Sequence, residues 1–539
     1  LIAWAATMAV LVKRSYVEAS STNLATDLAR YGASAEWRGI YYRGEKIGFT
    51  VRQIEQKDDG FELQEDGRLQ MSLLGAITPA RIRTTARVDR EFALKSFDFL
   101  LDPGTGPTEI RGTLTGLDLA LTITTPAGQT SEVRRLDAPP MLSLNLGRRL
   151  ASAGLTVGAR YSWMMFDPAT LRNAPVIVQV GKRELVRSSS ENVGTISVPA
   201  FRVEMEFSGL HTTAWITDTG EVLNEQSPMG LVTRRETAST ARRMYATVRT
   251  DLLAGSAIVP EMKQRIDEPR SVRRLRMRFT GADLSALDLQ GVAQSAAGNV
   301  VETVDPRALR AGPAEAGVER YLAPEPYLES DDPAIVAEAE RALQRITGTR
   351  ERAERLVRHV NGLIEKKPTV SLPSAREVLR TKVGDCNEHT ALYVALARAS
   401  GIPSRIAAGL TFVHGAFYYH AWPEVYLDEG SGRGYWLPVD PTLNQFPADA
   451  THVRLARGGL DKQTVILPLL GRMRIEVLDL ELAPNATPIL IGRPPADMAP
   501  LAVPLPHRNP SGCWFSPPDP RPPRQRPGTP APGRGAPRR

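Results

Sequence analysis

A chain of 539 residues exceeds one ordinary domain and leaves room for two or three folded units with real cores. Its formal charge of +7 sits mostly at the end, where eight arginines between Arg493 and Arg539 face only Asp497 and Asp519. The body therefore carries only about +1, which removes the compositional basis for a nucleic-acid-binding surface. Two cysteines, Cys386 and Cys513, cannot build a disulfide framework. No paired-cysteine or calcium-loop spacing is present, so no metal or other cofactor is expected.

Leu1 to Val12 is apolar or small apart from Thr7 and ends at Lys13-Arg14. That is too short to span a bilayer. Val17-Glu18-Ala19 before Ser20 has the small-residue form of a signal cleavage site, while the basic pair argues against export of the chain beyond it. Residues 1–30 are expected to be a truncated membrane anchor or a signal segment, with the body in the periplasm or cell envelope. The competing expectation is a buried terminal helix.

Residues 31–255 alternate polar and apolar positions between turn signals, for example Ile47 to Gln56, closed by Asp58-Asp59-Gly60. The pattern predicts an extended antiparallel sheet or half-barrel that presents or spaces the rest of the chain, or binds a ligand on its concave face. His211 and Trp215 lie in strand patterns and read as structural. Thr237 to Leu253 is predicted helical, with Arg242, Arg243 and Arg249 on its solvated side. Residues 256–320 read as a β-rich connector in which Leu275, Met277 and Phe279 alternate with exposed Arg276 and Arg278.

Residues 321–482 change character. Asp332-Pro333 opens a helix running to about Ile346, and Thr349 opens another through about Ile364, with His359 as an ordinary helix histidine. Ser374-Ala375-Arg376-Glu377 has the form of a capping box, Gly384 breaks that short helix, and a second begins at Asp385 or Cys386. Leu392, Ala395, Leu396 and Ala399 carry its period until Gly401-Ile402-Pro403.

Cys386 thus falls in a first helical turn, where free N–H groups favour a thiolate. Lowering a thiol pKa by two units takes about 2.7 kcal/mol, and a helix terminus supplies about 0.3–1 kcal/mol, so a second cation is required. A histidine lies downstream on a predicted three-strand meander: Ser404 to Ala408, Tyr418 to Leu427, and Tyr435 to Thr442. Alternation puts His420, Trp422 and Glu424 on one face. Asp440 ends the third strand, where its carboxylate can reach the His420 imidazole.

Other residues compete for roles. His389 lies one turn beyond Cys386, yet a helix N-terminus disfavours an imidazolium and no aspartate partner is apparent. His414 falls in a loop and reads as solvated. Trp422 and Trp436 either wall a groove or fill the core. Asp385 is expected to cap the helix, and Glu388 to hold a nearby arginine such as Arg405. Thr464 to Leu469 and Met473 to Leu482 are predicted strands. Residues 483–539, rich in Pro and Arg, are predicted disordered.

The run Gly384-Asp385-Cys386-Asn387-Glu388-His389-Thr390, with His420-Ala421-Trp422-Pro423-Glu424-Val425-Tyr426 and Pro438-Val439-Asp440-Pro441-Thr442, resembles the transglutaminase-like superfamily of papain-related cysteine enzymes. Asn444 to His452 is similar to the segment that comes after the aspartate in bacterial members. The resemblance implies an α+β fold, an extended antiparallel β domain followed by a papain-like, transglutaminase-like α+β domain. It implies Cys386 as nucleophile, His420 as base and Asp440 as orienting acid. The chemistry would be cleavage or transfer at amide bonds through a thioester, on a protein or peptide substrate such as a cell-wall peptide. No tryptophan lies between Trp215 and Cys386, where crosslinking relatives place one that helps hold the oxyanion, so hydrolysis is favoured. The Cys386 backbone N–H is the expected oxyanion donor, with its companion open. The alternative is a non-catalytic envelope scaffold with a vestigial triad.

Overall fold

The computed structural model describes residues 35–73, 76–190, 194–227, 230–244, 250–251, 255–369, 371–484 and 489–490. The predicted anchor or signal segment and nearly all of the predicted tail lie outside these. Among the described residues no helix is long and apolar enough to cross a membrane.

The alternating half folds into one fourteen-stranded sheet. Eight strands from Glu36–Tyr42 to Gly128–Arg135 form one meander and six from Arg160–Asp167 to Leu231–Glu236 form another. The two join through the first and last strands, with Trp37 opposite Glu236 and Ile40 opposite Thr233. Period-two alternation sets the faces: in Thr108–Thr115, Thr108, Ile110 and Gly112 point inward while Glu109, Arg111 and Thr113 are exposed. Gly112 is required there, because a Cβ would sit 2.1 Å from the Phe97 ring. A helix that the sequence pattern did not announce, Ser143–Ala153, links the meanders and buries Leu144, Leu146 and Leu150. Asn145 fixes its start by accepting the Leu142 N–H at 2.8 Å.

One prediction next to this sheet fails, an unbroken helix from Thr237 to Leu253. Among its described residues Ala238–Ala241 are helical, capped by Thr237, whereas 242–244 leave the helix and Asp251 bridges to Ser72 beside the sheet. The strand Val272–Thr280 does bury Leu275, Met277 and Phe279. Arg276 is exposed as expected, while Arg274 and Arg278 on the same strand are ion-paired. The returning strand Arg474–Leu482 sets Asp479 2.8 Å from Arg274 and Glu476 2.6 Å from Arg278.

The second half is α+β. Helix α1 (Pro333–Ala342) starts at Asp332, whose carboxylate accepts the Ala334 N–H at 2.9 Å. It ends short of the predicted Ile346. Helices α2 (Thr349–Leu363), α3 (Ala375–Thr381) and α4 (Cys386–Ala399) come next. Every residue of α4 from Glu388 to Arg398 is buried, so it is the central helix of the unit. Leu392, Tyr393 and Leu396 pack against Leu356 and Val360 of α2 on one side and Val425 and Leu437 on the other.

Those last two residues belong to a five-stranded sheet containing the predicted meander, β1 (Ser404–Val413), β2 (Ala416–Gly430) and β3 (Arg433–Pro438), with β4 (Val453–Arg457) on the far edge of β1. Thr464–Leu469 is a 3₁₀ helix and not the predicted strand; a six-residue apolar run does not distinguish the two by period. Ile489–Leu490 pairs with Gln264–Arg265, so a short piece of the predicted tail is hydrogen-bonded strand.

Candidate active site

The end of α4 is built by its own sequence. Asp385 accepts the Asn387 N–H at 3.1 Å, and Glu388 reaches back to the Asp385 N–H at 2.8 Å, which completes a capping box. Gly384 leaves room for it, since a Cβ would lie 2.3 Å from Glu388 Cβ. Just before, Val383–Gly384 runs parallel to Glu365–Lys366, which brings residues 367–369 and 371–374 to the helix end as a strap. The strap is tied to the box: Thr369 Oγ1 donates to Glu388 at 3.0 Å, as does the Ser371 hydroxyl, and the Thr369 backbone N–H donates to the Asp385 carboxyl. Leu372, in the same strap, inserts into the core of the large sheet. The predicted pairing of Glu388 with Arg405 is therefore wrong, because Glu388 is consumed by its own helix end and the strap.

Burial, then the neighbouring Glu388 charge and the hydrogen bond between the two carboxyls, pushes Asp385 well above the usual carboxylate range.

Cys386, half-buried, opens α4 as predicted. The backbone N–H of Ala421, the residue after His420 on β2, favours the charged form of the Cys386 sulfur. The expectation of a lowered thiol pKa is not met. Burial first, and Asp385, Glu388 and Asp440 after it, push the thiol well above its ordinary value, against the one lowering contribution of the Ala421 N–H. Desolvation is the dominant cause.

His420 Nε2 lies 2.8 Å from Asp440 Oδ2. This occupies one ring nitrogen and leaves Nδ1 as the proton acceptor. Asp440 is fully buried just beyond β3. Its Oδ1 accepts the Leu443 N–H at 2.9 Å, and its backbone exchanges two hydrogen bonds with Gln445. Burial alone would raise this carboxyl, but the His420 and His452 imidazoles hold it far below the usual range.

His452 is the residue the sequence pattern did not single out. Its Nε2 sits 3.0 Å from the same Asp440 oxygen and its Nδ1 3.3 Å from Asp449. Burial would lower its pKa, yet the hydrogen bonds it donates to Asp440 and Asp449 raise it to about 9. The three groups His420, Asp440 and His452 offer ligand atoms within 4.8 Å of one another. Their mutual hydrogen bonds account for that convergence without a cation.

The other candidates sort plainly. His389 is buried, its Nδ1 is 2.6 Å from the Asp385 carbonyl, and desolvation pushes it down to about 4, which leaves it neutral beside the sulfur. Trp422 is buried with its ring stacked on His420 at 6.1 Å and edge-on to His452 at 5.1 Å. Trp436 is buried under the Arg405 guanidinium, 3.7 Å away. Both tryptophans fill the interior. Glu424, on the His420 face of β2, is the partner of Arg405 at 2.7 Å and of Arg454 at 2.6 Å. His414 is exposed in the β1–β2 turn, His359 bonds Glu338 at 2.6 Å, and Trp215 donates to Glu184 at 2.8 Å.

A buried central helix with cysteine in its first turn, packed on a meander that carries a paired histidine and aspartate, has a counterpart among known families. Residues 337–441 match the transglutaminase-like superfamily. The chain carries a transglutaminase-like domain. The match contains Cys386, His420 and Asp440 and ends before His452.

Solved structures similar to the chain include a candidate cysteine protease from Cytophaga hutchinsonii, at 17% identity over 42% of this chain and 88% of that one, with a TM-score of 0.27. A β-barrel-like protein from Brucella abortus, of a domain of unknown function, matches at 14% identity over 38% and 96%, with a TM-score of 0.29. A candidate protease from Parabacteroides distasonis matches at 11% identity over 66% and 67%, with a TM-score of 0.20. No curated protein matches the chain.

Proposed function

We propose that the transglutaminase-like domain is a cysteine enzyme acting on amide bonds of a protein or peptide. In this reading His420 Nδ1 takes the Cys386 proton as Sγ attacks the carbonyl carbon. The tetrahedral intermediate collapses with cleavage of the C–N bond, and the proton held on His420 passes to the leaving amine. The thioester on Cys386 is then resolved by water, which regenerates the thiol and releases an acid, or by an amine, which transfers the acyl group. Asp440 keeps the imidazole in the tautomer that bears its proton on Nε2. The Cys386 backbone N–H serves as an oxyanion donor.

The observation that carries this reading is the 2.8 Å His420–Asp440 pair on the strands against which the Cys386 helix packs, with the N–H of the residue next to that histidine favouring the Cys386 thiolate. Water is the favoured acceptor, because the upstream tryptophan of crosslinking relatives has no equivalent in this sequence. The pattern of residues 1–30 supports an exported or membrane-anchored protein, with cell-envelope peptides as the substrate class.

The test is turnover of a mixed peptide and cell-wall fragment library, read by mass spectrometry with and without an added primary amine. Cys386→Ala is expected to abolish new products, and an unchanged product pattern in that variant would end the proposal. The raised Cys386 thiol supports a second reading, a scaffold with an idle triad. In that case alkylation of Cys386 would not respond to His420→Ala, whereas the enzyme reading expects it to slow at neutral pH.

A further inference from the structure

His452 lies between two carboxylates in an arrangement that dictates its protonation. Nε2 faces Asp440 Oδ2 at 3.0 Å; Nδ1 faces the Asp449 carbonyl at 3.2 Å and the Asp449 carboxylate at 3.3 Å. A neutral imidazole has one N–H and would set its bare nitrogen against an acceptor; only the imidazolium satisfies both sides. The remaining neighbour, the Thr411 hydroxyl at 3.5 Å from Nε2, can turn to accept. Side-chain exposure of 2% keeps water from substituting for either carboxylate.

Asp449 is itself fixed for this purpose, since its carboxylate takes the Thr451 N–H at 3.0 Å, the Thr451 hydroxyl at 2.6 Å and the Gln445 amide at 2.9 Å. Asp440 Oδ2 thus receives two imidazoles, His420 at 2.8 Å and His452 at 3.0 Å, with ring centroids 5.9 Å apart. The charged groups facing His452 are Asp440 and Asp449, with His420 across the shared oxygen; Arg270, whose charge acts on Asp449, faces that carboxylate from the connector.

We infer that His452 is a positioning residue for the candidate triad: held as an imidazolium between Asp440 and Asp449, it fixes the shared carboxylate against His420 and offsets its charge. In a plain triad the full negative charge of the aspartate favours an imidazolium and hence a preformed thiolate. Here a second cation faces the same carboxylate and offsets that charge. The high thiol pKa of Cys386 agrees with this. The inference rests on the triad reading above.

The test uses the full chain carrying Cys513→Ser, so that Cys386 is the single thiol, and measures its iodoacetamide rate from pH 5 to 10 by intact mass. His452→Gln keeps a donor toward Asp440 and removes the charge. The alkylation midpoint is expected to fall by about one pH unit, the scale of one elementary charge some 6 Å away in a partly screened interior. Asp449→Asn, which weakens the hold on the His452 proton, is expected to move it the same way by less, and it carries the test if His452→Gln does not fold. A midpoint that stays put or rises in the folded variant overturns the inference. A wild-type profile indifferent to His420→Ala would instead overturn the triad reading, so the two failures are distinct.

Discussion

Glu424 is the tie that holds the histidine strand in register, and Glu424→Gln tests how much rests on it. The carboxylate and its two partners, Arg405 and Arg454, are each 4–5% exposed, and the ion pairs measure 2.7 and 2.6 Å. Burial alone would raise the carboxyl, but Arg454 and Arg405 together hold it below its usual range. Neutralising it leaves two guanidiniums buried on adjacent strands with Asp288, 3.6 Å from Arg454, to offset their mutual repulsion. Loss of one partner from a buried pair costs about 3–5 kcal/mol. For a unit of this size each kcal/mol moves the melting temperature by about 2–4 °C, so a drop of roughly 6–20 °C is expected by scanning calorimetry. Replacing Glu424, Arg405 and Arg454 together by apolar residues of similar volume is expected to recover most of the loss, because the desolvation penalty disappears with the charges. A Glu424→Gln melt within 2 °C of wild type would refute the reasoning that this network is dry and compensated.

Other consequences are smaller or more local. The His452 pKa is raised to about 9, so its contribution is complete below the unfolded value near 6.5 and is lost as pH rises through 9. Urea midpoints are therefore expected to fall on the alkaline side, on the order of 3 kcal/mol in all, and His452→Gln is expected to flatten that limb. A variant curve parallel to wild type would contradict the linkage. His389, pushed down to about 4, acts on the other side: stability is lost as pH falls from 6.5 toward 4, because the unfolded imidazole takes a proton that the buried one refuses. His389→Gln, assayed in the same way, is expected to hold its urea midpoint over that interval; an undiminished acid limb would count against the assignment. Leu372→Ala removes the strap's anchor in the large sheet and is expected to cost about 2–5 kcal/mol. It is also expected to change the alkylation rate of Cys386 through the Thr369 and Ser371 bonds to the helix end. A destabilised protein with an unaltered rate would show that strap and sulfur are uncoupled.

Local chemistry was readable where one segment decided its own structure. Period-two alternation placed His420, Trp422 and Glu424 on one face of β2, and Asp332-Pro333 and Asp385 announced two helix starts. Ser374 also caps as expected, but Glu377 does not close its box; it turns to Arg380 one turn on and to the Ala127 N–H, a partner that no local window contains. The same limit hid the pairing of Trp37 with Glu236, the insertion of Leu372 into the large sheet and the role of His452. His452 lies twelve residues beyond Asp440 and meets it only because the backbone folds back through the Asp440–Gln445 bridge. The thiol expectation erred for a different reason. Helix-end position is visible in a sequence, whereas the desolvation and the acid pair that outweigh it depend on packing.

The central claim is that the Cys386 sulfur carries an acyl group delivered with the help of His420. The direct measurement is peptide mapping of the Cys513→Ser protein after brief exposure to an activated peptide ester, alongside its His420→Ala counterpart at matched pH. The account predicts an acyl mass on the Cys386 peptide that forms rapidly in the first protein and far more slowly in the second. Equal acylation of the two, or none on Cys386, would contradict it.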